Sequence, residues 1–436
     1  MAVSVPPTGI AILGCGTIGS AVADMLLHES AHLRTRSGQT LVLRHVVELS
    51  RERVQAAKIP ERIWTDKLDV ALADKNTQIV IELIGGLEPA RSFVLKALKA
   101  GKHVVTANKY LLAVHGREIL AAARRAKRCV AFEASCGGTI PIILALTKGL
   151  IANDITRVVG IVNGTCNYIL TQMTQHGQSY ADALRGAQAA GYAEANPTFD
   201  VNGTDSAHKI AILSSLAFGA EIPFDVVERS GIDTLQDTDL KFAKELGYVC
   251  KLLAIGEKAD GGLSLRVHPT FVSDDQLLAN VSGSFNAISV YGHASGQTLY
   301  YGRGAGGKPT ASAVLADVID IAMGTAPLLF EKLPSLAHKK KMRFVPSSEI
   351  MSRNYLRIAA LDKPGVMARI AQILSRHKIS IAAITQHEAK AGESVPIVVM
   401  THEAKDGNIA KAVKEIDQLA DITANTVRIR VLNGAS

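Results

Sequence analysis

Cysteine is scarce and scattered in this chain: Cys15, Cys129, Cys136, Cys166 and Cys250 are the only five in 436 residues. Their odd number and the lack of any CxxC spacing exclude a disulfide framework and a cysteine-based zinc site, and predict reduced thiols in a cytoplasmic protein. No apolar run reaches the roughly 20 residues that span a bilayer. The opening MAVSVPPTG lacks the basic and apolar regions of a signal peptide, so no membrane partner is expected. Aromatic residues make up 5% of the chain, and none interleaves with the one dense basic run, His338–Arg343. That excludes a nucleic-acid surface and leaves the run as a basic linker. The net charge of +8 is a small excess over 48 basic residues, compatible with phosphorylated, anionic ligands.

What is present describes a globular protein. Hydrophobic residues at 47% and charged residues at 20% provide ample core, and the length predicts two or three domains. The apolar run Ile10–Leu13 precedes Gly14-Cys15-Gly16-Thr17-Ile18-Gly19, and a helical period follows. This is GxGxxG between a strand and a helix: Gly14 for the tight turn, Gly16 for approach of a pyrophosphate, Gly19 for close packing, with Thr17 and Ile18 at the helix N-terminus. The next strand, LVLRHVVELS, reaches Glu48. A carboxylate there favours the ribose hydroxyls of NAD, while Arg51 and Arg53 suit the 2′-phosphate of NADP, so both cofactors stay open. The segment HLRTRSGQT is an insertion ahead of that strand.

Three more strand–helix units follow: IVIELIG before Pro89, HVVTAN before Lys109, and CVAFEA over 129–134. The alternation predicts an α/β fold with a doubly wound parallel sheet. Asn108, Lys109 and Glu133 then fall at the carboxyl ends of strands, where ligands bind. From about Ile142 the pattern changes to an α+β domain with a mixed sheet. A second glycine-rich turn, Tyr301–Gly307, includes Gly306 and leads into a helix that folds back on the nucleotide sheet. Between them lies Gly191–Lys209, GYAEANPTFDVNGTDSAHK, which packs Glu194, Asp200, Asp205 and Lys209 ahead of an apolar helix. Asp205 and Lys209 share a helical face. By itself that spacing favours a capped helix with a solvated ion pair. Residues 331–352 read as a linker. The remainder reads β-α-β, β-α-β, a ferredoxin-like module with no nucleophile–base set, hence a binding or regulatory unit.

Taken together, GCGTIG, TANK (Thr106–Lys109), EASCGGTIP, GIVNGTCNYIL, GYAEANPTFDVNGTDSAHK and GRGAGG, with the turn Leu361–Val366, resemble the homoserine dehydrogenases that carry a C-terminal ACT domain. The resemblance covers nearly the whole chain. It implies a Rossmann NAD(P)-binding domain over 1–141, completed by 303–330. It further implies a catalytic and dimerisation domain over 142–302 and an ACT domain over 353–436. The implied activity is the reversible NAD(P)-dependent reduction of L-aspartate 4-semialdehyde to L-homoserine, in threonine, methionine and isoleucine biosynthesis. Residue by residue, it implies Lys209 as proton donor, Lys109 beside nicotinamide and substrate, Asp205 near the reacting oxygen, and Glu194 and Asp200 on the substrate. It also implies a sodium ion on Glu133 and the carbonyls of Cys136, Gly138 and Ile140, a homodimer or homotetramer, and threonine as an allosteric ligand. Two positions depart from the pattern: Val47 stands where NADP users often carry arginine, and Arg303 where proline is usual. Another amino-acid or aldehyde dehydrogenase on the same nucleotide domain, the aldehyde class needing a cysteine nucleophile, and a catalytically idle NAD(P)-binding sensor are the rival expectations.

Overall fold

The computed structural model describes residues 6–337, 340–386 and 394–433. His338 and Lys339 of the basic run, and the start of MAVSVPPTG, lie outside the described residues. The chain divides into two compact units, one built from 1–164, 205–227 and 285–342, the other from 165–204, 228–284 and 343–436.

The first unit contains a six-stranded parallel sheet. Its strands are β1 (Thr8–Leu13), β2 (Leu41–Val47), β3 (Trp64–Thr65), β4 (Thr77–Glu82), β5 (His103–Thr106) and β6 (Val130–Ala131), in the order β3-β2-β1-β4-β5-β6. Ile10, Ala11, Ile12 and Leu13 are wholly buried, as a central strand covered on both faces must be. The order reverses between β1 and β4, which opens the crevice where such sheets take their ligands. This is the doubly wound sheet expected from the alternating pattern.

The insertion HLRTRSGQT is largely helical: Ser30–Ser37 forms two turns that stop at Gly38, whose φ is +70°. One local expectation needed correction. The strand expected over 129–134 keeps only Val130–Ala131, and Glu133–Ser135 winds into a 3₁₀ turn. The amide of Glu133 donates not to a neighbouring strand but to Asp317 Oδ2, 2.8 Å away, a partner 184 residues on that no local pattern reveals.

The same unit holds β7 (Ile155–Ile161), and further along the chain β11 (Phe285–Gly292) and β12 (Gly296–Arg303), paired antiparallel in the order β12-β11-β7. The helix Gly307–Ala322 packs on Thr17–His28. A Cβ on Gly307 would meet the Thr17 carbonyl at 3.2 Å, so glycine permits that approach.

In the second unit β8 (Glu228–Arg229) pairs with β10 (Gly262–Ser273), and β9 (Tyr248–Ala259) forms an antiparallel hairpin with β10. The C-terminal segment supplies β13 (Met351–Leu361), β14 (Ile381–Gln386), β15 (Ser394–Thr401), β16 (Ala404–Lys405) and β17 (Ile422–Val431). Helices Val366–Arg376 and Asp406–Ile416 bury Ile370, Leu374, Ile409 and Ile416 against Leu356, Ile358 and Val399 of the sheet β17-β13-β15-β14. That is the ferredoxin-like arrangement. Its last strand also pairs in parallel with β10, through Thr270–Arg430 and Phe271–Val431. Among the described residues no single helix is long and apolar enough to cross a membrane.

Candidate active site

The glycine turn after β1 does three separate jobs. Gly14 has φ +93°, and a Cβ there would sit 2.9 Å from the Leu83 carbonyl; one on Gly19 would sit 2.0 Å from the carbonyl of Gly14. Gly16, the N-cap of the helix that begins with Thr17 and Ile18, faces open space, where a diphosphate can reach main-chain N–H groups. Glu48 stands just past β2 and folds back on this turn. Its Oε2 accepts from the Cys15 amide at 2.8 Å and its Oε1 from the Ser50 amide at 3.0 Å. Burial works against its charge, but those amides and Arg53 outweigh it and keep the carboxyl below its ordinary value. Arg51 is turned away: its guanidinium meets Glu61 at 3.0 Å and lies over Trp64. Arg53 is 3.9 Å from Glu48. Gly306, at φ +132°, caps the helix that packs on the glycine turn.

The first unit also brings together three charged residues from distant stretches. Asp205 and Lys209 lie on the helix Thr204–Phe218, and Lys109 begins the helix Lys109–Arg125 after β5, behind an Asn108 cap that accepts from the Leu111 amide. Lys209 Nζ is 2.7 Å from Asp205 Oδ2, and Lys109 Nζ is 2.9 Å from Asp205 Oδ1. Lys209 is 7% exposed and Asp205 6%. That burial removes the solvated-pair reading, because such groups stay charged out of water only when paired. Burial opposes ionisation of Asp205, yet the two ammonium groups prevail and hold its carboxyl well below the carboxylate range. Lys209 Nζ also donates to the Val162 carbonyl at 2.6 Å. An ammonium has three N–H donors, so one remains to give.

Sequence reasoning missed Asn163, whose Nδ2 donates to Asp205 Oδ2 at 2.9 Å and fixes the carboxylate from a third side. Its only signal was its place in GIVNGT. His208, which stacks between Tyr110 and Phe224, was likewise unforeseen. Glu194 and Asp200 belong to the second unit: Glu194 is exposed and Asp200 sits in the short helix Thr198–Val201.

In the loop Glu133–Ile140, Gly137 and Gly138 have φ of +76° and +59°. The Glu133 carboxylate accepts from the amides of Ile143 and Leu144 at 2.8 and 2.7 Å. Burial pushes that carboxyl up to about 7. Cys136 is wholly buried, and burial pushes its thiol up to about 12. It cannot serve as the thiolate that a cysteine-dependent aldehyde dehydrogenase requires.

A doubly wound sheet with a glycine-turn diphosphate site, joined to a buried Lys–Asp–Lys set, defines a nicotinamide-dependent oxidoreductase. The comparisons narrow the class. Residues 141–319 match the homoserine dehydrogenase family, 14–133 the homoserine dehydrogenase NAD-binding domain, and 354–421 the ACT domain. The homoserine dehydrogenase of Neisseria gonorrhoeae is 41% identical over 429 residues, covering 98% of each chain. That of Pseudomonas aeruginosa is 42% identical over 430 residues, covering 98% of this chain and 99% of its own. The crystal structure of a homoserine dehydrogenase from Thiobacillus denitrificans is similar at a TM-score of 0.92 and 40% identity, over 98% of this chain and 99% of that one. A hyperthermophilic archaeal homoserine dehydrogenase in complex with NADPH is similar at 0.62 and 25% identity, over 73% and 98%. The chain belongs to the homoserine dehydrogenase family.

Proposed function

We propose that the chain catalyses the reversible reduction of L-aspartate 4-semialdehyde to L-homoserine, with Lys209 as the acid. The observation that carries this reading is the unused N–H of a buried Lys209 whose charge is secured by Asp205. Bound nicotinamide supplies the hydride in reduction and takes it in oxidation. As the aldehyde carbon gains that hydride, negative charge grows on its oxygen, and the Lys209 ammonium donates a proton to it; neutral Lys209 takes the proton back in the oxidation. Asp205 holds Lys209 in place and links it to Lys109, whose charge supports the same oxygen. Glu194 and Asp200 are proposed to hold the substrate's α-ammonium, the natural partner of a carboxylate.

Glu194→Gln is then expected to lower kcat/KM for homoserine by about tenfold or more, the worth of a hydrogen bond to a charged group, with the affinity for cofactor kept. Initial rates at varied homoserine and varied cofactor separate the two. Unchanged homoserine kinetics would remove Glu194 from the substrate site.

The contacts of Glu48 favour use of NAD at an efficiency comparable to NADP, since a carboxylate at the adenosine ribose repels a 2′-phosphate and Arg51 is committed to Glu61. Measured kcat/KM with each cofactor tests this. A preference for NADP above roughly a hundredfold, about 2.8 kcal/mol, abolished by Arg51→Ala or Arg53→Ala, would overturn it.

A sodium ion is proposed at the loop Glu133–Ile140, held by Glu133 and the carbonyls of Cys136, Gly138 and Ile140, hard donors suited to such a cation. Each Glu133 carboxylate oxygen accepts one amide and keeps a lone pair to give. Five buried free cysteines agree with a reducing, cytoplasmic setting. We further propose a homodimer or homotetramer acting in threonine, methionine and isoleucine synthesis. Feedback by threonine would act at the turn Asp362–Gly365. Gly365 there adopts φ +85° and caps the helix Val366–Arg376, whose free N–H groups suit a carboxylate. Deleting the module would strip β17 from β10, so a point change is the cleaner probe. Millimolar threonine should inhibit the full-length enzyme and inhibit Asp362→Ala less; an enzyme indifferent to threonine refutes the regulatory reading.

A further inference from the structure

The helices Lys109–Arg125 and Thr204–Phe218 carry the two lysines that share Asp205, but a groove lies between them. It holds about 800 Å³ and is walled by Leu112, Gly116 and Leu120 of the first helix and by Ala211, Ile212 and Ser215 of the second. Packing along their length therefore does not lock the two helices together. The spacing of the lysines is set where the helices begin.

The ion pairs do not fix that spacing by themselves. The Lys109 side chain is 41% exposed, and a pair with a partner so open to water is screened and holds weakly. The flexible stem of a lysine also lets its ammonium follow a carboxylate while the helix beneath it shifts. A second tie stands beside the pair. Tyr110 follows Lys109 in the chain and His208 precedes Lys209, and their rings meet with centroids 4.8 Å apart and planes inclined by 31°. His208 also stacks on Phe224, at 4.4 Å and 29°. It is buried, while Tyr110 and Phe224 are half-buried. Phe224 belongs to the turn Phe224–Val226 and lines the groove.

Rings at these separations attract one another within a narrow range of geometries. Each is rigid and sits one peptide bond from a lysine or on the neighbouring turn, so the stack fixes backbone where the ion pairs fix only ammonium groups. We propose that Tyr110, His208 and Phe224 are positioning residues. Their stack holds the two helix ends in register, so that Lys109 and Lys209 meet Asp205 together and present the Lys209 proton at one place. His208 serves here as a flat buried ring, and proton transfer by its imidazole has no part in the role. The inference rests on the reading of Lys209 as the acid. Its size follows from the sensitivity of catalysis to distance, since misplacing a reacting group by about 1 Å can cost about a hundredfold in rate.

The test is steady-state oxidation of homoserine by the full-length enzyme, with kcat referred to the fraction of protein that binds cofactor. His208→Ala and Tyr110→Ala should each lower kcat by about tenfold to a hundredfold. The KM for homoserine should stay within about threefold, since the loss falls on the chemical step and not on binding. His208→Phe restores a flat ring and should recover most of kcat. The double variant Tyr110→Ala with His208→Ala should lose little more than the worse single one, because either change breaks the same stack. Should a His208 variant fail to fold, Tyr110→Ala and Phe224→Ala, at half-buried positions, decide. The proposal is overturned if the ringless variants are less stable but keep kcat, or if His208→Phe is as impaired as His208→Ala. Lys209→Ala run alongside separates the two readings: if it alone loses turnover, the acid stands and the stack falls, and if it keeps turnover, the acid reading itself fails.

Discussion

Lys209→Ala is expected to lose turnover by about 10²–10⁴-fold, the range associated with loss of a positioned acid, while still binding NAD or NADP. The lysine's side chain touches Asp205 and the Val162 carbonyl, and none of its contacts involves the glycine turn at Gly14–Gly19, so cofactor affinity has no reason to follow. Loss of the ammonium leaves the growing alkoxide without its proton, which makes this a loss in kcat rather than in the binding of nicotinamide. Stopped-flow turnover, with cofactor binding read from nicotinamide fluorescence, measures both on one preparation. A variant within about threefold of wild type would fall outside the range of general acid catalysis and transfer the role to Lys109.

Asp205→Asn should be the most damaging single change to stability in the site. The carboxylate is shared by Lys209 at 2.7 Å and Lys109 at 2.9 Å, and Asn163 adds a third contact. Removing one partner of a buried pair typically costs about 3–5 kcal/mol, because the remaining charge is left unpaired in a poorly solvated place. Lys109 is 41% exposed along its side chain and can turn to water; Lys209 cannot, so most of the cost falls on Lys209. Chemical denaturation should show a lower midpoint with an unchanged slope. The pH dependence follows from the same contact. The pKa of Asp205 is depressed in the folded state, so its contribution is present above the unfolded value near 3.9 and disappears only as pH falls well below 4. Wild type should therefore lose this increment in strong acid, and Asp205→Asn should have none to lose. An asparagine variant as stable as wild type at pH 7 would mean the two lysines do not depend on that carboxylate.

How much of this was legible beforehand depends on the range of each interaction. The glycine turn was readable because its three constraints fall within six residues of one strand–helix junction. Asp205 and Lys209 were readable as neighbours on a helix, but nothing local distinguished a solvated pair from a buried one. That distinction needs Val162 and Asn163, supplied by the end of β7, and Lys109, supplied by the start of another helix. The shortened strand β6 failed for the same reason: the partner of the Glu133 amide is Asp317, on the helix Gly307–Ala322. The ferredoxin-like module was clear from its β-α-β periodicity. The pairing of β17 with β10 was not, since β17 alternates like any strand and carries no mark of a second neighbour.

A nicotinamide site and a buried Lys–Asp–Lys set are proposed to act together on homoserine. The most direct measurement is the initial rate of NAD or NADP reduction by the purified full-length enzyme with L-homoserine as the only oxidisable substrate. Homoserine-dependent reduction is expected with at least one cofactor, largely abolished in Lys209→Ala. Cofactor binding without any homoserine-dependent reduction, under both cofactors, would contradict it.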